Sequence, residues 1–373
     1  MDSLLVGNGI NIQYGGSRCA NKEIIKRAIT SSITPDFPLK ATTFTNSHQP
    51  IWLIGTLHSE IPNVIKGDFD EFELASFERD ALISFKERYG SFALDCSPLK
   101  VGMEDYFFLL ELFFKKHGIK NPDANAIREG FKRVFLYSIY DVGRVEKIFL
   151  KFPSSLKDFF DGFDVIFTTN YDSNIDDFCE RTVFHLHGCF RTRSYLYDES
   201  SLRNKLSDKQ FDSVYFDPQV SYLFSNAIFS YSGSLKEFQM SQASKTNTAL
   251  EKFAEGYKKD ERVKEHIEAW RKDNNQIMRN LAESILLKAS DADIEFDEYY
   301  RIEEFKSVEG SLSIVGLSPN NDSHIFDLLK TNEGLSNVTY YYHSKSDIEA
   351  VVKLLPQSKL SFIDVKTLWA KYE

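Results

Sequence analysis

The segment from Met1 to Asn11, MDSLLVGNGIN, decides how the rest of the chain is read. Ser3 to Val6 is a short apolar run that breaks at once into Gly7-Asn8-Gly9, the pattern of a buried strand entering a tight turn ahead of a helix. Runs of the same build recur at Asp164 to Thr168 (DVIFT), Val183 to Leu186 (VFHL), Ser311 to Val315 (SLSIV), Val338 to Tyr342 (VTYYY) and Leu360 to Val365 (LSFIDV). Each is short and β-branched or aromatic, and longer segments separate most of them. Parallel neighbours cannot be joined by hairpins and need crossovers, so this spacing predicts a parallel sheet. The expected fold class is α/β: a Rossmann-like parallel sheet with helices on both faces and two large helical insertions.

The first insertion is legible from about Asp68 to Phe160, where FDEFELASFERDALISFKERYG, MEDYFFLLELFFKKHGI and ANAIREGFKRVFLYSIYDVG repeat apolar residues at three- and four-residue spacing. The second, roughly Ser234 to Phe305, is charged, and its KEHIEAWRKDNNQIMRNLAESILLKA portion is strongly amphipathic. The chain is therefore expected to be a single domain, 1–373, with a core of approximately 1–20, 161–233 and 306–373 and insertions of approximately 21–160 and 234–305. The insertions serve either as scaffold or as a surface for a second copy or a partner; their long amphipathic faces lead us to expect a homo-oligomer.

Bulk properties narrow the function. A hydrophobic content of 42%, with 32 Phe and 18 Tyr, is ample for a large core. A formal charge of −10 and a pI near 5.4 disfavour direct nucleic-acid binding, which draws its affinity from neutralising phosphates with Lys and Arg. Cys19, Cys96, Cys179 and Cys189 include no CxxC pair, so buried free thiols are expected rather than a zinc ribbon. No stretch approaches the ~20 apolar residues of a membrane span. The start of the chain lacks a basic leader, and a cytoplasmic location is expected.

Three segments at strand ends carry the candidate chemistry. In Gly7-Asn8-Gly9-Ile10-Asn11 the glycines let backbone approach a pyrophosphate and helix amides face its charge; taken alone it is equally a plain tight turn. Thr168-Thr169-Asn170-Tyr171-Asp172 sits where ligands enter a doubly wound sheet, and supplies hydrogen-bonding groups suited to an amide, a ribose or a water; an Asx turn with a helix cap is the plainer reading. His185-Leu186-His187-Gly188 places two imidazoles on one face by strand alternation, and His185 either shares the face of His187 or is a hydrogen-bonded core histidine. A metal there needs a third ligand that the sequence does not place, so no metal is expected. A histidine titrating near neutrality suits general-base work on a ribose hydroxyl or a water. Arg191 and Arg193 are expected on a solvated face, and Asp322 and His324 either line the crevice or cap a helix.

The order of these segments resembles that of the sirtuin-like NAD-binding family and its bacterial anti-phage defence branch. By that resemblance Gly7, Asn8, Gly9 and Asn11 belong to the phosphate loop. Asn170 orients water or the ribose, and Thr169, Tyr171 and Asp172 lie around the nicotinamide. His187 is the general base, and Gly316-Leu317-Ser318 is similar to the late segment, with Gly316 and Ser318 at the adenosine ribose. The VGNGIN start and the IVGLSPNNDSH ending also look like abortive-infection AbiH proteins. What the resemblance implies is an NAD+ glycohydrolase releasing nicotinamide and ADP-ribose, with NAD as substrate and no metal, acting as a regulated NAD-depleting effector, with a HerA-like ATPase as a possible partner. The four-cysteine zinc module of protein deacetylases is missing, which disfavours deacylation. A non-enzymatic NAD or ADP-ribose sensor is the alternative; it would need neither Asn170 nor His187.

Overall fold

The computed structural model describes residues 1–91, 97–206, 216–231, 233–296 and 298–373. All of the expected runs are strands: β1 (Asp2–Val6), β2 (Val165–Thr168), β3 (Val183–His185), β4 (Gly310–Val315), β5 (Leu335–Tyr342) and β6 (Leu360–Asp364). They form one parallel six-stranded sheet in the order β3-β2-β1-β4-β5-β6. Leu4 of β1 lies opposite Ile166 on one side and Ser313 on the other.

The alternation along β1 explains why both faces are covered. Leu4 and Val6 pack with Ile166 into one apolar cluster, while Leu5 packs with Phe167, Leu312 and Ile314 into a second. A strand apolar at every position has no face to give to water, which is the signature of a sheet sandwiched between helices.

The insertions occupy two crossovers. The chain between β1 and β2 forms helices Asn21–Thr30, Gln49–Lys66, Ser76–Tyr89, Met103–His117, Asp123–Tyr140 and Leu156–Asp161. Helix thus begins well before Asp68; Asp68 to Ala75 is itself non-helical, following Gly67, whose left-handed φ of 101° ends a helix. Phenylalanines pack this crossover: Phe107, Phe131 and Phe135, joined by Phe229 from the β3–β4 connection, make ring contacts at 4.9–5.8 Å. Between β3 and β4, helices Ser234–Lys259, Glu261–Trp270 and Gln276–Ser290 build a separate small core around Leu250, Ile267, Ala282 and Ile285. The strongly amphipathic run is divided at Asp273-Asn274-Asn275, where the Asn275 side-chain oxygen accepts from the Ile277 N–H at 2.9 Å and starts the next helix.

Cys19, Cys179 and Cys189 are buried free thiols, and Cys96 lies outside the described residues. Among the described residues no helix is long and apolar enough to cross a membrane.

Candidate functional site

The strand order reverses direction at β1: the chain moves outward through β2 and β3, then returns to place β4 on the other side of β1. Ligands of doubly wound sheets bind at such a switch point, beyond the carboxyl ends of the strands. Every candidate segment lies on that edge. Gly7 to Gly9 follows β1, Thr169 to Asp172 follows β2, His187 follows β3, and Gly316 to Ser318 follows β4.

At the switch point two turns meet backbone to backbone. The Gly7 N–H donates to the Val315 carbonyl and the Gly9 N–H to the Gly316 carbonyl, each at 2.8 Å. A Cβ on Gly9 would stand 2.4 Å from the Gly316 Cα, and Gly316 itself has φ of 72°. The glycines are required by this close approach, whatever the turn binds. Gly9→Ala is therefore expected to cost about 1–3 kcal/mol by overpacking, read as a lower urea midpoint; a variant as stable as the parent would show that the two turns separate freely.

Asp172 is enclosed. Its carboxylate accepts from Asn11 Nδ2 at 2.6 Å and from the Asn174 backbone N–H at 3.2 Å, while Asn174 Nδ2 also donates to Asn11 Oδ1. Burial raises its pKa above the usual aspartate range, against the pull of these donors. Tyr171 donates its hydroxyl to the Ile228 carbonyl at 2.7 Å and its ring packs with Phe190 and Phe229. Both side chains are thus committed, and the Tyr171 carbonyl also accepts from the Phe190 N–H at 2.8 Å. Asn170 points its amide toward the Gly7 carbonyl at 3.4 Å, a long contact that a better acceptor would displace. Asn8 donates to the Cys19 carbonyl at 2.9 Å.

The two histidines part company. β3 ends at His185 and the chain turns through Gly188, at φ of 83°, so strand alternation does not extend to His187. His185 meets the Asn170 carbonyl at 3.0 Å and Asp176 at 3.1 Å, and is a hydrogen-bonded structural histidine. His187 is 2% exposed and its Nε2 lies 2.9 Å from Nε2 of His324, which is fully buried. Because the His187 ring also hydrogen-bonds to the Thr169 carbonyl, its Nε2 presents a lone pair and His324 Nε2 carries the proton. The His324 Nδ1 is then a buried acceptor without a hydrogen-bond partner. Burial, with Lys236 nearby, holds both imidazoles well below their usual protonation range, so both are neutral.

Asp322 completes a cluster. Ligand atoms of His187, Asp322 and His324 all lie within 4.8 Å of one another, the third group that the His185–His187 reading could not place. Asp322 stands at a helix N-cap position but its side chain makes no capping bond, and burial pushes its carboxyl up to about 7. Two imidazoles and a carboxylate are a donor set that a divalent cation accepts; the Lys236 ammonium facing them opposes a cation.

Lys236 and Glu104 were missed in the sequence. Lys236 opens the helix Ser234–Lys259, is 1% exposed, and donates to Glu104 of the helix Met103–His117. Burial pulls its ammonium down, but Glu104, Tyr171 and Asp322 outweigh that and keep it charged. The ion pair ties one insertion to the other over the histidine pair. A solitary lysine and glutamate in two charged helices carry no signal that distinguishes them from solvated neighbours.

Further out, Arg191 pairs with Asp177 at 2.7 Å and reaches Glu146 at 3.3 Å, and Arg193 donates to the Tyr197 carbonyl with its guanidinium 4.1 Å from the Phe216 ring centroid. Neither Glu146 oxygen is in a well-aligned hydrogen bond. Burial, then Asp172, push its carboxyl up to about 7, against Arg191. The folded chain thus keeps a proton that the unfolded chain releases from about pH 4.5 upward, so Glu146 lowers stability progressively as pH rises to 7 and by a constant amount above it. Glu146→Gln removes that penalty: the variant is expected to gain on the order of 3 kcal/mol relative to the parent between pH 5 and pH 8, measured by urea unfolding at both. An identical difference at the two pH values would contradict the assignment.

No known family model, curated protein or solved structure matches the chain.

Proposed function

We propose that the chain is a gated NAD+ glycohydrolase that breaks the nicotinamide–ribose bond and releases nicotinamide and ADP-ribose. The observation that supports it most is the meeting, on one sheet edge, of the β1 glycine turn with the Asn170 amide directed at it and a neutral His187 hooked to the residue before Asn170. The bond to nicotinamide breaks with its electron pair leaving on the ring nitrogen, and a water oxygen bonds to the anomeric carbon. Asn170 orients that water, and the Nε2 lone pair of His187, released from the His324 N–H as the water enters, takes its proton. A fixed dipole beside the developing oxocarbenium stabilises the transition state more than the ground state. The Thr169 carbonyl holds His187 in the required tautomer, and in the closed chain the His324 N–H caps the basic Nε2 at 2.9 Å.

Asn170 and His187 are 6% and 2% exposed, so a dinucleotide enters only when the insertions part. Such closure suits an NAD-depleting effector held off until triggered, as does assembly with further copies or an ATPase partner, the role the defence-branch resemblance implies. A mass-spectrometric time course with NAD alone tests the reading, with nicotinamide and ADP-ribose accumulating in equal amounts. Nicotinamide release that requires an acyl-peptide would instead mark a deacylase.

The His187–Asp322–His324 cluster favours a second reading, a divalent-cation hydrolase. The purified chain would then carry about one metal per site by elemental analysis and lose activity to chelator, whereas the glycohydrolase is indifferent to chelation.

A further inference from the structure

A cavity of about 230 Å³ opens beside the helix Gly9–Gly15, bounded in part by Asn8 and Gly15. Its charged lining is Arg18, Arg27, Arg144, Lys147 and Lys151 against the single carboxylate of Asp141. In a chain of net charge −10 this is a concentrated reversal of sign. Of the switch-point residues only Asn8 lines it; Gly7, Gly9, Asn170, His187 and Gly316 do not. We propose that this cavity is a second binding site, for a phosphate-class anion.

The charges are arranged for a guest. Asp141 is nearly buried and gathers three guanidinium groups, Arg18 at 2.6 Å, Arg144 at 3.3 Å and Arg27 at 3.9 Å. One carboxylate neutralises one of them. The half-buried Arg27 is further fixed by donating to the Ser138 carbonyl at 2.7 Å, so its position is preset. Lys147 and Lys151 are exposed on the rim and carry no ion pair among the described residues. The backbone that delivers Asp141 and Arg144 is held in an unusual shape: Asp141, Val142 and Gly143 have φ of 49°, 56° and 79° in succession. A β-branched residue with positive φ is rare and persists where the surroundings require that geometry. Cations crowded around one carboxylate repel one another, and a phosphate or pyrophosphate relieves that repulsion with charge-assisted hydrogen bonds. Guanidinium forks match such oxygens in pairs.

The proposal does not depend on NAD cleavage. Inorganic pyrophosphate, orthophosphate and ADP-ribose are titrated into the full chain by calorimetry at constant ionic strength, with sodium chloride as the balancing salt. At least one is expected to bind saturably, and Lys147→Gln/Lys151→Gln, confined to the exposed rim, is expected to weaken it at least about tenfold. Lys330→Gln/Lys353→Gln, exposed elsewhere, should leave it unchanged. ADP-ribose binding displaced by pyrophosphate identifies a nucleotide's phosphates as the guest; binding of the inorganic anions alone identifies free phosphate. No saturable binding of any of the three, or equal affinity in the rim variant and the parent, overturns the site.

Discussion

Alanine at His187 is expected to lower nicotinamide release from NAD by about 10²–10⁴-fold, the usual loss on deleting a general base. Asn170→Ala should fall in the same range, and the two together should cost little more than either alone, because groups acting on one step are not additive. Both variants should stay folded. Asn170 gives up only a long contact to the Gly7 carbonyl. His187→Ala leaves the His324 N–H unpaired in the interior, a penalty of about 1–3 kcal/mol that a domain of this size tolerates. Far-ultraviolet circular dichroism and a urea midpoint separate loss of chemistry from loss of fold. His324→Ala supplies the finer test. It removes the N–H that caps the His187 Nε2 and leaves His187 on the Thr169 carbonyl, so activity should drop less than in His187→Ala, with a pH profile displaced from that of the parent. Undiminished release by both the Asn170 and His187 variants would end the glycohydrolase reading and leave a binding module.

The sheet was legible because its evidence is local. Ser3 to Val6 and its counterparts are short apolar runs whose composition sets strand type and whose separation forces crossovers. Every strand differs from its expected run by one to three residues at one end, because a strand's last residues are fixed by its neighbours' register. Candidate segments at strand ends inherited that legibility, since the carboxyl edge is where a parallel sheet gathers its loops. What the sequence hid was set by distance along the chain. The His187–His324 contact joins residues 137 apart, and the Lys236–Glu104 pair joins residues 132 apart. No periodicity encodes such a meeting. His185 shows which local reading holds: its spacing from His187 suggested a shared face, but the strand stops between them, and Asp176 claims its ring in the hydrogen-bonded core role that was the other expectation.

Replacing Lys236 with methionine should be the most destabilising single change at the site, on the order of 3–5 kcal/mol. The substitution keeps the apolar stem but leaves the Glu104 carboxylate largely buried beside an Oε2 that already has no hydrogen-bond partner. Glu104→Gln should cost less, because the amide can still accept from the lysine. Lys236→Met/Glu104→Gln removes both charges, so its cost should be well below the sum of the two singles. That coupling, read from urea unfolding of the four proteins, measures the pair itself. A second consequence separates a latch from a mere packing element. The pair joins the helix Met103–His117 to the helix Ser234–Lys259, with the Lys236 ammonium close enough to act electrostatically on Tyr171 and His187. If the insertions part there to admit a dinucleotide, the double variant opens more often than the parent at matched stability. Amide exchange at Asn170 to Asp172 should then rise several-fold while exchange in β4 and β5 stays unchanged, and nicotinamide release should rise with it. Purely additive stabilities would show that the two charges do not communicate; unchanged exchange at Asn170 to Asp172 would place the entrance elsewhere.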